Sequence, residues 1–187
     1  NDTEIIHFVD LINNEYITNS LDIQKKDYLI SSDMNNKVIV WAILKYKIIA
    51  TVKCNEYTGK ILSTLLLFNI NNNNYIITSS KEASDYTKVY ELETGSFIKD
   101  MSRSNHGVTF DLLYWNYNDE HYIIELCDSK ITINNFIKNK RYAKLQNYWS
   151  EGKHVRGFIY SDKLLCSCST NGFIRMWDLE SYKNIKN

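Results

Sequence analysis

Cys166-x-Cys168 is the closest sulfur pair in the chain. On an extended strand it places both thiols on one face, which is how two ligands of a tetrahedral metal site can begin. A complete site needs a second ligand pair at short spacing, and His7, His106, His121 and His154 are scattered singly. The thiols therefore read as core packing, the common fate of free cysteine, and no metal is expected. His121 and His154 read as surface or loop residues. Thr58-Gly59-Lys60 lacks the glycine-rich approach of a phosphate-binding loop and precedes a strand rather than a helix, so it reads as a turn. Gly-x-Ser-x-Gly, His-Glu-x-x-His and paired catalytic carboxylates are missing from the sequence, and the expectation is no catalytic residue and no cofactor. Lys138, Lys140, Arg141 and Lys144 form the densest basic cluster, which reads as a solvated turn.

The elements that must carry these residues are bounded by composition. In 187 residues, 22 Lys+Arg balance 22 Asp+Glu, so no overall field draws the chain to a polyanion and nucleic acid is an unlikely partner. Hydrophobic residues at 44%, with 14 Tyr, 7 Phe and 4 Trp, can bury a sizeable core. Four Cys in 187 residues have neither the density nor the paired spacing of a small secreted disulfide scaffold, which favours a reducing compartment, so an intracellular site, cytoplasmic or nuclear, is expected. The run Leu65 to Phe68 is far too short to cross a bilayer, and no membrane insertion is expected. The acidic start, Asn1-Asp2-Thr3-Glu4, reads as an excerpt of a longer chain.

With no Pro and 6 Gly, turns must be made by Asn, which tolerates positive φ and bonds its own backbone. Turns are expected at Asn35-Asn36, Asn71 to Asn74, Asn134-Asn135 and Asn171-Gly172. Between them lie short runs rich in Ile, Val, Leu, Tyr and Thr, which read as strands, and the chain reads as nearly all β. Leu29 to Ile43 aligns with Leu165 to Leu179 without a gap, and Ile76 to Leu92 and Ile123 to Phe136 align with altered turns. Trp41, Tyr90, Asn134 and Trp177 share one column, a period near 44 with about four strands per unit, as in a propeller blade.

The stretch LLCSCSTNGFIRMWDLESYK, Leu164 to Lys183, resembles the WD-repeat family, with its Trp-Asp pair at Trp177-Asp178. His106, Phe110, Leu113 and Trp115 are similar to that family's His-bearing loop and innermost strand. The resemblance implies an all-β propeller of about four four-stranded blades in one domain over 1–187. The blades fall at 15–53, 61–100, 108–146 and 154–187, with 5–11 as a closing or outer strand. It also implies structural roles for Ser31, Asn35, Trp41, Ser167, Asn171, Trp177 and Asp178. Four blades leave two raw ends, so the ring is expected to be completed by further chain or by a second copy.

Val155-Arg156-Gly157 lacks one Arg of the double-Arg-Gly motif of phosphoinositide-binding propellers. Glu180 stands where ubiquitin-ligase adaptors of the family carry Arg. Neither role is expected. The family's function implies a non-enzymatic scaffold binding other proteins through loop residues, for which Tyr57, Tyr86, Arg103, His106, Tyr148, Trp149 and His154 are the candidates. The alternatives are a hydrolase-like enzymatic propeller and a propeller that binds nucleic acid or phosphoinositide.

Overall fold

The computed structural model describes residues 5–8, 28–33, 37–42, 47–53, 62–80, 87–101, 108–128, 130–145 and 154–186. They form four antiparallel sheets of four strands, each a simple meander in chain order. The first holds β1 (Ile5–Phe8), β2 (Tyr28–Asp33), β3 (Lys37–Ala42) and β4 (Lys47–Lys53). The second holds β5 (Leu62–Ile70), β6 (Asn73–Ser80), β7 (Lys88–Glu91) and β8 (Phe97–Asp100). The third holds β9 (Thr109–Tyr117), β10 (Glu120–Cys127), β11 (Ile131–Asn135) and β12 (Lys140–Leu145). The fourth holds β13 (His154–Ser161), β14 (Leu164–Ser169), β15 (Ile174–Asp178) and β16 (Lys183–Lys186). Among the described residues the sheets do not close into a ring.

One register runs through all four sheets. Leu29 lies opposite Trp41, Ile76 opposite Tyr90, Ile123 opposite Asn134 and Leu165 opposite Trp177. Because strand side chains alternate between faces, this shared rung gives each sheet a leading face, which carries the Trp-column residue, and a trailing face. The leading face of the second sheet, with Ile76 and Tyr90, packs on Val38, Val40, Ala50 and Val52 of the first. Ile123 and Leu112 of the third pack on Ile77, Val89 and Phe68 of the second. Leu165 and Trp177 of the fourth pack on Ile124, Leu126 and Ile133 of the third. The third sheet is thus covered on both sides, and every residue of β11 is buried. Adjacent sheets touch most closely through their first strands, β5 against β9 and β9 against β13.

Two pairs of turn residues carry the positive φ that a tight two-residue hairpin requires, Asn71 and Asn72 at 50° and 68°, and Asn118 and Asp119 at 51° and 58°. Asn73 and Asn74 already belong to β6. Asn134 and Asn135 are not a turn: they end β11, buried, where Asn135 donates to Glu120 Oε2 at 2.5 Å and accepts from the Lys138 backbone N–H at 2.8 Å. Lys140, Arg141 and Lys144 lie on β12 rather than in a turn, and Lys138 alone of the cluster sits in the β11–β12 connection. These charges line an outer strand, where lysine discourages further strand pairing. β1 pairs with β2 at the edge of the first sheet, so it opens that sheet at Ile5 rather than serving the last one. The expected Asn35-Asn36 turn lies outside the described residues.

Ile123→Ala and Ile133→Ala each empty a fully buried site on opposite faces of the third sheet and are expected to cost about 2–5 kcal/mol by urea denaturation. Ile137→Ala, at an exposed position, is expected to change stability by less than about 0.5 kcal/mol. Equal effects at the three sites would contradict the packing.

Candidate interaction rims

Antiparallel alternation sorts the connections onto two rims. The first carries the tight turns β5–β6, β9–β10, β13–β14 and the last turns of the second, third and fourth sheets. The second is where β4, β8 and β12 end and β5, β9 and β13 begin. Of the candidate partner residues, Tyr57, Tyr86, Arg103, His106, Tyr148 and Trp149 lie outside the described residues. The strand ends that flank all six belong to the second rim. His154 opens β13 at that rim.

On the described part of the second rim, the third and fourth sheets are joined by a shared carboxylate. Asp111 of β9, buried, accepts the Gly157 backbone N–H of β13 at 3.0 Å and its own neighbour Leu112 N–H at 3.1 Å. The Arg156 guanidinium stands 3.5 Å away. This approach needs glycine: a Cβ at Gly157 would lie 2.7 Å from Leu126 Cδ2 and 3.0 Å from the Cys166 carbonyl oxygen. The Arg-Gly dipeptide thus joins two sheets, with its charge turned to a carboxylate. Burial pushes the Asp111 carboxyl above its ordinary 3.8, outweighing the pull of the Gly157 N–H and of Arg156.

The first rim carries a ladder of aromatic rings. Trp115 stacks on Tyr117 at 5.2 Å and lies 4.9 Å from Tyr122, Tyr122 lies 4.8 Å from Tyr142, and Tyr142 meets Tyr182 edge-on at 5.8 Å. Polar contacts fix the end formed by Trp115 and Tyr117. The Trp115 indole N–H donates to the Asp162 carbonyl at 2.8 Å, and Tyr117 donates to Glu180, which also pairs with Lys163 at 2.9 Å. Burial and the neighbouring Tyr142 push the Tyr122 hydroxyl up to about 12. Tyr142 is exposed. The fourfold period does not reveal this ladder, because its members come from β9, β10, β12 and the last turn; the sequence signal is the density of rings in LLYWNYNDEHY.

Trp177 of the shared rung is held from within its own sheet. Trp177 donates its indole N–H to Ser167 Oγ at 2.9 Å in a buried pair. Ser169 Oγ bonds Asn171 Oδ1 at 2.6 Å and accepts from the buried Arg175 at 2.5 Å. Asp178 accepts the backbone N–H groups of Glu180 and Ser181 at 2.7 and 3.0 Å, which closes the turn after β15. Trp41 is half-buried on the leading face of the first sheet, Ser31 lies on β2, and Asn35 is outside the described residues. Cys166 and Cys168 share the trailing face of the fourth sheet, Cys166 buried and Cys168 half-buried. Among the described residues no group of three His, Cys, Asp or Glu could hold a metal ion, and no helix is long and apolar enough to cross a membrane.

No protein-family model and no curated protein matches the chain. Solved structures do. The computationally designed Ika8 protein is similar over 88% of this chain and 46% of its own, at 14% identity and a TM-score of 0.67. This chain therefore spans less than half of that protein. The computationally designed Ika4 protein is similar over 84% of this chain and 88% of its own, at 14% identity and a TM-score of 0.63. At this identity the likeness is one of fold.

Ser167→Ala removes the acceptor of a buried indole and is expected to cost about 1–3 kcal/mol in urea denaturation. A loss below the error of the measurement would contradict a structural bond. For Asp111, a carboxyl raised on folding favours the folded state below its ordinary value of 3.8, and that contribution is lost as pH rises through the folded value. Asp111→Asn keeps an acceptor for Gly157 without a buried charge. It is expected to flatten this part of the fall in unfolding free energy between acidic and neutral pH, and an unchanged slope would contradict the assignment.

Proposed function

We propose that the chain is a WD-repeat-like β-propeller array acting as a non-enzymatic scaffold for other proteins inside the cell. The observation that carries this reading is the repetition of one rung, at Trp41, Tyr90, Asn134 and Trp177, in four sheets stacked leading face on trailing face. The polar side chains of the third and fourth sheets support it, because they serve architecture: Asp111 joins two sheets, Glu180 ties Tyr117 to Lys163, and Glu120 holds Asn135 and Lys138. What the array offers a partner is a rigid frame with two rims of loops. Binding energy at such rims concentrates in aromatic and Arg anchors, of which Tyr142 is exposed at the first rim. Tyr57, Tyr86, Arg103, His106, Tyr148, Trp149 and His154 remain the proposed anchors of the second.

The test is affinity purification of the protein from its native cells followed by chemical crosslinking and mass spectrometry. A stoichiometric partner crosslinked to residues of the connections at either rim is expected. Recovery of the chain without any stable protein partner would count against the scaffold.

A further inference from the structure

The three junctions between sheets are of one kind, and among the described residues they leave one face of that kind open at each end. The fourth sheet exposes its trailing face, where Phe158, Cys166 and Met176 share a rung. Phe158 is 57% and Ile174 66% exposed. The first sheet leaves its leading face open, where Ile39 lies opposite the exposed Thr51, flanked by Trp41. In the three junctions already formed, a leading face always lies on a trailing face. The two open faces are therefore complementary halves of a further junction, and among the described residues they do not meet.

We infer that a second copy of this chain fills both. The trailing face of the fourth sheet in one copy covers the leading face of the first sheet in the other, and twofold symmetry repeats the junction, so that the two copies close a ring. The inference rests on the propeller reading above and adds the occupant of its raw ends. Area supports it. A four-stranded face of this strand length spans on the order of 400 Å², and two such junctions bury on the order of 1,600 Å² in all, the size of a stable specific interface. Zero net charge means that two copies do not repel one another. A head-to-tail contact between unlike faces closes only when its rotation divides a full turn, and here two copies must suffice.

The test is light scattering coupled to size exclusion on the intact chain at micromolar concentration, with a mass twice 22.0 kDa expected. Phe158→Glu and Thr51→Glu place a charge on opposite faces, and each alone is expected to give a single-copy mass with the β-sheet circular dichroism retained. Ile174→Lys serves as a second probe of the fourth sheet should Phe158→Glu fail to fold. Mixing the Phe158 and Thr51 variants is expected to restore association, since one junction between them keeps both faces unaltered. Ile137→Lys, in the exposed β11–β12 turn of the first rim, is expected to leave the mass unchanged. Three results would overturn the inference: a single-copy mass for the unaltered chain, open polymers, or association lost with the Phe158 change but kept with Thr51→Glu, which would mean like face on like face. Failure of the scaffold reading shows separately, as the lack of crosslinks from the connections to a partner protein.

Discussion

A sheet that is oily on both sides cannot stand in water, and the rest of this molecule follows from that constraint. β10 and β11 set Ile123, with the buried Glu125, Thr132 and Asn134, on one face and Ile124, Leu126, Ile131 and Ile133 on the other, so that each face of the third sheet carries residues that must be covered. Stacking neighbours on both sides is the arrangement that covers them. The register then matters as much as the hydrophobicity, because a slip by one residue would turn Trp177 and Leu165 away from the third sheet. Ser167 guards against that slip by giving the Trp177 indole a partner on its own face.

Where sheets meet, the contacts are not only apolar. Asp111 binds a backbone group of the next sheet near the second rim, and Trp115 and Tyr117 reach the turns of the next sheet at the first. Polar bonds at both ends and a dry centre set the spacing and the tilt of one sheet upon another, which apolar contact alone leaves loosely specified. Gly157 allows a close approach between two sheets, where a single methyl group would strike Leu126. The rims inherit this rigidity, and loops set on a stiff frame are suited to recognition.

Much of this was legible in the sequence, and what was not has a physical reason. The fourfold period is visible because each unit makes its own ladder, so Leu165 and Trp177 find each other within one hairpin. Asn71-Asn72 reads as a turn because positive φ is a local property. Asn134-Asn135 misleads because the same residue type also serves as a buried hydrogen-bonding end to a strand, a role that depends on Glu120 across the sheet. The basic cluster misleads in a similar way: charge marks solvent exposure, and an outer strand is as exposed as a turn. Asp111 was invisible, since its partner Gly157 is 46 residues away and in another repeat. Contacts within a repeat are written in its pattern, and contacts between repeats are not.

The central claim is that the interior sheets are buried on both faces by their neighbours, and amide hydrogen exchange measures that directly. The account predicts that the amides of β10 and β11 exchange most slowly, opening only with global unfolding, while those of β12 and β16 exchange faster by orders of magnitude. Exchange in β10 and β11 as fast as in β16 would contradict it.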